Sequence, residues 1–92
     1  MKVSFYATLR QYVGAKTIEI ALPEQATVQC LLDEILAKYP ALRPELIDEN
    51  GQLLQHVNLF VNSRNALFLE RGMDTVLPED AVVGIFPPIG GG

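Results

Sequence analysis

The architecture is determined most directly by residues 27–40, whose sequence is TVQCLLDEILAKYP. Apolar side chains in this stretch recur every three or four positions and form one stripe along a helix. They are Val28, Leu31, Leu32, Ile35, Leu36 and Tyr39. We expect Thr27 to be the N-cap, because its hydroxyl can accept a hydrogen bond from an unpaired amide of the first turn. Pro40 ends the helix, since the residue before a proline disfavours helical backbone. The stretch therefore predicts one amphipathic helix that covers one apolar surface.

Two segments before the helix predict the first part of that surface. Apolar and polar side chains alternate in residues 2–8 and again in residues 17–22. Alternation with a period of two is typical of strands that bury one face. The apolar members are Val3, Phe5 and Ala7 in the first segment and Ile18, Ile20 and Leu22 in the second. The connection between them contains Gly14 and indicates a loop or a short helical turn, so the pair predicts an antiparallel hairpin.

The segments after the helix complete a mixed sheet. We expect a short helical turn over 43–49, a strand over 57–62, a turn at 63–65, a short edge strand over 66–70 and a last strand over 81–86. The last strand is apolar throughout, which is typical of a central strand covered on both faces.

This order of elements predicts an α+β fold of the ubiquitin kind, the β-grasp, with one main amphipathic helix on one face of a mixed sheet. We assign residues 1–86 to the β-grasp domain and residues 87–92 to a flexible C-terminal tail.

Composition excludes several classes of function. The chain has 92 residues, a net charge of −4 and only 7 Lys and Arg residues, which form no run. Nucleic acid binding needs clustered positive charge, so we expect no nucleic acid partner. No apolar run approaches the length of a membrane span, and the first residues carry no signal-peptide core, so we expect a cytoplasmic protein without a membrane partner. The single cysteine allows no intrachain disulfide.

The tail, Pro87-Pro88-Ile89-Gly90-Gly91-Gly92, is the most informative functional feature. Two prolines favour a stiff extended base, and three glycines present backbone without side chains, which suits insertion into a narrow channel. Its only reactive group is the terminal carboxylate, which a partner enzyme can activate as an acyl-adenylate. A sulfur nucleophile can then leave a thiocarboxylate. The alternative is an inert end, because glycine-rich termini are often linkers.

Three segments carry a resemblance to a known family: residues 5–14, FYATLRQYVG, residues 57–62, VNLFVN, and residues 80–88, DAVVGIFPP, before the terminal glycines. Together they resemble the ubiquitin-like sulfur-carrier family of the molybdopterin synthase small subunit (MoaD) and the thiamine-biosynthesis carrier (ThiS). The chain looks closest to the MoaD-like branch.

The resemblance implies that Gly92 is adenylated by an E1-like enzyme, which uses ATP and Mg, and is then converted to a thiocarboxylate with sulfur from a sulfurtransferase or another donor. It implies a molybdopterin synthase large subunit as partner, in molybdenum cofactor biosynthesis. Arg10 matches an arginine that contacts the large subunit, and Phe86 an aromatic residue at the same interface. The chain would then be a carrier rather than an enzyme, with the catalytic residues on its partners and no permanently bound cofactor.

Two departures leave the branch open. Gly90 is a third glycine where the molybdopterin branch often has a small non-glycine residue, and residues 62–74 are longer than in compact members. Residues 56–62, HVNLFVN, also look like carriers that supply sulfur for cysteine synthesis. A carrier for cysteine, thiamine or tRNA thiolation, a ubiquitin-like modifier joined to lysines through Gly92, and a non-reactive binding module therefore remain alternatives. The oligomeric state also stays open.

Strand parity predicts a docking face. If Val3, Leu59 and Ile85 face the helix, then Tyr6, Phe60 and Phe86 face the other way. Exposed aromatic patches often mark interaction sites. We expect Phe60 and Phe86 to anchor the partner beside Arg10, Pro87 and Pro88, unless a loop covers them.

Two further residues carry no predicted role. Cys30 falls off the helical stripe and lacks an electropositive setting, so we expect an exposed bystander. His56 has no second ligand at metal-binding spacing, which predicts a surface position and no metal site.

Overall fold

Strands and helices are assigned for residues 1–87, which are the residues that the computed structural model describes. The strands are β1 (Lys2–Phe5), β2 (Thr17–Glu19), β3 (Asn58–Val61), β4 (Arg64–Asn65) and β5 (Val82–Phe86). The α-helices are α1 (Arg10–Val13), α2 (Val28–Lys38) and α3 (Arg43–Leu46). Short 3₁₀ turns occupy Ala7–Leu9, Pro40–Leu42, Ala66–Phe68 and Gly72–Asp74.

The strands form one mixed sheet in the order β2-β1-β5-β3-β4. β1 runs antiparallel to β2 and parallel to β5, with Val3 opposite Val83. β5 is antiparallel to β3, with Ile85 opposite Leu59, and β3 is antiparallel to β4. With α2 across one face, this topology is the predicted ubiquitin-like β-grasp. The terminal strands β1 and β5 are neighbours at its centre.

Helix α2 forms as the sequence predicts. The Thr27 hydroxyl accepts a hydrogen bond from the Cys30 amide at 3.1 Å, which satisfies one unpaired donor of the first turn. The helix ends at Lys38, two residues before Pro40 starts a 3₁₀ turn. Its buried side chains are Val28, Leu31, Leu32, Ile35 and Leu36. Within residues 1–87, no helix has the length and apolar character needed to cross a membrane.

The core lies between α2 and the sheet. From the sheet, Val3, Phe5, Leu59, Val83 and Ile85 are fully buried. Removing an aliphatic or aromatic side chain of this size from water stabilises the fold by about 1.5–3 kcal/mol each. The alternation of these strands therefore fixes which sheet face meets the helix and which stays open.

The segment after β3 differs from the prediction. The edge strand is β4, and residues 66–68 form a 3₁₀ turn rather than the strand expected over 66–70. Asn62 and Ser63 adopt positive φ angles of 50° and 69°, so the chain reverses at these two residues and the edge strand starts two residues earlier than expected. Asn65 then accepts a hydrogen bond from the Leu67 amide and starts the 3₁₀ turn. Local side-chain caps of this kind compete with strand pairing.

Strand β5 is central, but the expectation that it is covered on both faces is wrong. Val82 is 67% exposed, and Gly84 and Phe86 are half-buried on the open face of the sheet. Strand β5 is thus apolar throughout although one of its faces lies open.

Candidate functional site

The three aromatic residues predicted to share the open face do so. Phe86 lies opposite Asn58 and Phe60 opposite Gly84, while their neighbours Leu59 and Ile85 point into the core. Tyr6 follows β1 directly and, like Phe60 and Phe86, is half-buried. We call Tyr6, Phe60 and Phe86 the aromatic patch.

The rings of the aromatic patch contact one another. Tyr6 and Phe86 stack face to face, with ring centroids 4.1 Å apart and planes 6° from parallel. Phe60 meets Phe86 edge to face, with centroids 5.5 Å apart and an angle of 87°. Aromatic pairs of this kind contribute about 0.5–1.5 kcal/mol beyond the area that they bury. Phe86 is therefore the central ring, since it contacts both others.

Gly84 makes room for the stack. A Cβ placed on Gly84 would lie 3.2 Å from the Tyr6 ring and 3.7 Å from the Phe86 ring. The first distance is shorter than ordinary van der Waals contact, so a side chain here would displace the Tyr6 ring. The rings and Gly84 line a shallow groove of about 300 Å³, which Ser63 and the exposed Val82 extend along the sheet.

Arg10 lies at the border of the aromatic patch. Its Nε donates a hydrogen bond to the Phe5 carbonyl oxygen at 3.1 Å, and its Cζ lies 6.0 Å from the centroid of the Tyr6 ring. That distance is at the outer limit of a cation–π interaction. Because the hydrogen bond uses one of five guanidinium N–H donors, the exposed side chain keeps donors for a carboxylate of a partner.

The start of the predicted tail lies beside the aromatic patch. The Tyr6 amide donates a hydrogen bond to the Ile85 carbonyl oxygen at 3.2 Å, and Pro87 is buried. The predicted tail residues Pro88, Gly90, Gly91 and Gly92 lie outside the described residues. The structure thus brings Arg10, Phe60 and Phe86 together on the open face, while Pro87, the next residue after Phe86, is buried.

Cys30 lies on α2, on the other side of the sheet from the aromatic patch, and is exposed. Hydrogen bonds with the side chain and then the backbone of Thr27 lower the pKa of its thiol. Asp33 and Glu34 act in the opposite direction. His56 is exposed, as predicted. Within residues 1–87, no three His, Cys, Asp or Glu side chains are grouped closely enough to hold a metal ion.

Sequence reasoning placed Tyr6 on the open face but gave it no role in the site, and it did not single out Gly84 or Ser63. The signal for Gly84 is its position in a strand of otherwise apolar side chains, since a glycine inside a strand often marks the close approach of another group. The group that approaches Gly84 is the Tyr6 ring, which is nearly 80 residues away in the chain, so the local sequence pattern does not reveal this contact.

The sequence was also compared with known protein families and proteins, and relatives were found that match nearly its whole length. A profile of the ThiS family matches residues 3–92. The chain is 38% identical to small archaeal modifier protein 3 of Haloferax volcanii over 92 residues, which is 100% of this chain and 98% of that protein.

Two solved structures extend the comparison. A crystal structure of SAMP1 from Haloferax volcanii superposes with a TM-score of 0.86 at 25% identity, covering 99% of this chain and 97% of that one. A putative molybdopterin converting factor, subunit 1, from Pyrococcus furiosus has a TM-score of 0.75 at 35% identity, with 96% and 95% covered. Some of these relatives are named as protein modifiers, and the Pyrococcus furiosus protein is named as a molybdopterin converting factor.

Proposed function

The chain belongs to the ThiS family of small ubiquitin-like carriers and modifiers, and we propose that it is a sulfur carrier whose C-terminal Gly92 holds the sulfur as a thiocarboxylate. The observation that carries this proposal is the extent of the family match, which runs through the last glycine rather than ending with the domain. The matched residues therefore include the three terminal glycines.

The proposed chemistry takes place on the main chain. A carboxylate oxygen of Gly92 attacks the α-phosphorus of ATP, held with Mg²⁺ by an E1-like partner, and pyrophosphate leaves. A hydrosulfide nucleophile from the sulfur donor then attacks the acyl carbon, AMP leaves and the thiocarboxylate remains. The partner supplies the catalytic groups, and this chain supplies a thin acyl terminus and a surface by which it is held.

The aromatic patch is the proposed surface for holding the partner. Phe60 and Phe86 are half-buried in the free protein, so a partner that covers them removes apolar ring surface from water. Aromatic residues and arginine are enriched among the residues that dominate binding energy. We propose that Phe60 and Phe86 are the anchors, that Arg10 pairs with a carboxylate at the rim, and that Pro87 and Pro88 lead the tail into the partner.

The relatives suggest two acceptors for the activated Gly92: a pterin precursor, which would take its sulfur, and protein lysines, which would take its acyl group. The likeness to the Pyrococcus furiosus protein favours a molybdopterin synthase small subunit, which docks on a large subunit and gives its sulfur to a pterin precursor. The 38% identity to a modifier protein equally favours transfer of the Gly92 acyl group to lysine amines of other proteins. Both use the same adenylate, and they differ in the nucleophile that follows.

The test of the carrier function is the intact mass of the full chain, with a native C-terminus, after incubation with ATP, Mg²⁺, the host's E1-like enzyme and sulfide. We expect a mass gain that corresponds to one oxygen replaced by sulfur, localised to Gly92. The matched control lacks Gly91 and Gly92 and should keep the melting temperature of the wild type but gain no sulfur. An unchanged wild-type mass would instead indicate a binding module with an inert tail.

A second assay separates the two acceptors. The thiocarboxylated protein is incubated with the host's candidate large subunit and pterin precursor, and in parallel the activating mixture is incubated with host proteins. Molybdopterin formation with return of the original mass supports the carrier in molybdenum cofactor biosynthesis. Adducts joined from Gly92 to a lysine by an amide bond support the modifier.

A further inference from the structure

We propose that Tyr6 is a positioning residue, whose ring, stacked on Phe86, fixes the end of β5 and thereby the point from which the reactive terminus leaves the domain. The proposal rests on the carrier function above and extends it to the one ring of the aromatic patch that is not proposed as an anchor. It concerns the geometry of the terminus rather than contact with the reacting atoms.

Main-chain pairing holds the end of β5 on one side only, where Phe86 pairs with Asn58 of β3. On the β1 side, the last registered pair joins Phe5 to Ile85, and the Tyr6 amide makes one further bond to the Ile85 carbonyl. The next residue after Phe86 is Pro87, which has no N–H to donate. Beyond Ile85, the strand is therefore paired on the β3 side alone.

The Tyr6 ring supplies a restraint on the β1 side. It lies parallel to the Phe86 ring at 4.1 Å, and Gly84 leaves room for it where a Cβ would approach to 3.2 Å. On its border, the Arg10 guanidinium lies 6.0 Å from the ring centroid and is held by the Phe5 carbonyl. Arg10, Tyr6 and Phe86 thus form one column across β1 and β5, with Phe86 at the end nearest the terminus.

Restraint at the end of β5 matters because the partner enzyme has to reach one group, the Gly92 carboxylate at the C-terminus. The five residues from 88 to 92 span at most about 17 Å when extended. A displacement of the reacting group by about 1 Å can lower a rate by about a hundredfold. The position of the strand end relative to the aromatic patch therefore sets the region that Gly92 can reach when a partner binds the patch.

The experiment compares the rate of Gly92 activation among four variants of the full chain, with kcat and KM measured separately for the E1-like enzyme. Tyr6→Ala removes the ring, Tyr6→Phe keeps it, and Gly84→Ala pushes against it. Phe68→Ala is the matched control, because it also removes an aromatic ring but at a side chain that is 83% exposed. The chemical shifts of the Gly84 α-protons, which the ring current of the nearby Tyr6 side chain alters, report the column directly, and thermal melting reports folding.

We expect Tyr6→Ala to lower kcat at saturating carrier by about tenfold or more, with loss of the ring-current shift at Gly84. Tyr6→Phe should restore both, Gly84→Ala should lie between, and Phe68→Ala should match the wild type. A folded Tyr6→Ala protein with unchanged kcat would overturn the proposal. So would a KM effect alone, since that would make Tyr6 a contact residue.

Two results distinguish a failure of the role proposed for Tyr6 from a failure of the carrier function. If Tyr6→Ala does not fold, Gly84→Ala decides the matter, because it moves the ring without removing it: unchanged kcat with a shifted Gly84 signal would contradict the role of Tyr6. If the wild-type protein is not activated at all, the carrier function itself is wrong and the positioning role falls with it.

Discussion

Phe86 is the last residue of β5 and contacts both other rings of the aromatic patch, so its side chain belongs to the sheet and to the proposed partner surface together. Phe60 contacts only Phe86 among these rings, at the T-shaped pair. The two anchors therefore differ in how much of the fold depends on them.

This difference gives the first prediction. Phe60→Ala should raise the Kd for the E1-like partner by about tenfold or more, because aromatic anchors at an interface centre often contribute above 1 kcal/mol. The free energy of unfolding should fall by only about 1 kcal/mol, since one edge-to-face contact is lost. Phe86→Ala should lose more stability, as it removes both ring contacts. Titration calorimetry and urea unfolding measure the two quantities.

A loss of about 3–5 kcal/mol in Phe60→Ala, the range for core aromatic residues, would mean that Phe60 belongs to the core instead. Phe68→Ala is the control for both measurements, because its ring is largely in solvent.

Cys30 provides the second prediction. Hydrogen bonds from Thr27 lower the pKa of its thiol, so a larger fraction is thiolate at neutral pH than in an ordinary cysteine. Thr27→Ala should raise the pKa of that thiol and slow its alkylation by iodoacetamide at neutral pH. It should also lower the free energy of unfolding by about 1 kcal/mol through loss of the N-cap.

The matched variant Cys30→Ser should leave thiocarboxylate formation at Gly92 unchanged, because Cys30 lies on the helix side of the sheet. Loss of sulfur loading in Cys30→Ser would give the thiol a role in sulfur relay that we do not assign. Alkylation rates that do not change in Thr27→Ala would contradict the link between the two side chains.

At the scale of secondary structure, the turn between β3 and β4 is the element with most backbone strain. Ser63 has a φ of 69°, in the left-handed region that costs a non-glycine residue roughly 1 kcal/mol or more. Ser63→Gly should therefore stabilise the protein by about 0.5–1 kcal/mol in urea unfolding, after the greater flexibility of glycine in the unfolded chain is allowed for.

Asn62 is the matched position for that test. Its φ is 50°, but its side chain accepts a hydrogen bond from the Val82 amide at 2.8 Å. Asn62→Gly should therefore gain less than Ser63→Gly or lose stability, because it leaves a strand amide without that acceptor. Equal gains at both positions would show that the side-chain bond contributes nothing.

Among the elements, α2 could be predicted almost to the residue, while the segment after β3 could not. The signals for α2 are local: a cap, a stripe of apolar side chains and a proline all lie within fourteen positions. After β3, the apolar run Ala66-Leu67-Phe68-Leu69 indicates a strand, but it is Asn65 that decides the outcome by capping the Leu67 amide. Competition between a side-chain cap and strand pairing is not visible in periodicity.

At the scale of the whole molecule, the N-terminal ammonium ties the start of the chain to β2. It lies 2.7 Å from a Glu19 carboxylate oxygen and donates to the Ile20 carbonyl at 2.9 Å. The hydrogen bond from this ammonium lowers the pKa of the Glu19 carboxyl below its ordinary value of 4.5. The contact joins the two strands whose pairing begins the sheet.

The sign of the pH dependence follows from that lowered pKa. The stability that Glu19 contributes is present above pH 4.5, its unfolded value, and is lost as the pH falls through the lower folded value. Glu19→Gln should therefore melt slightly below the wild type at neutral pH, and the two should converge in acid. The effect is small, since Glu19 is exposed. Melting temperatures that differ equally at both pH values would contradict the ionic contribution.

The site could be predicted from the sequence only in part, for a reason that also belongs to the whole molecule. Strand parity is enough to put Tyr6, Phe60 and Phe86 on one face. The stack of Tyr6 on Phe86 and its clearance at Gly84 depend on β1 and β5 being parallel neighbours, which is a property of the topology. Contacts between the two ends of a chain carry no local signal, so they appear only once the strands are paired.

The parallel pairing of β1 with β5 also bears on how the protein is made. Lys2 lies opposite Val82, so the central pair of the sheet has a very large sequence separation, and contacts of this kind slow folding. The hairpin of β1 and β2 and the helix α2 are local, and they can form before β5 is in place. The aromatic patch takes one ring from beside β1, one from β3 and one from β5, so it is assembled only when that last strand has inserted. The proposed partner surface therefore exists only in chains whose last strand has inserted, and unfinished or misfolded chains lack it.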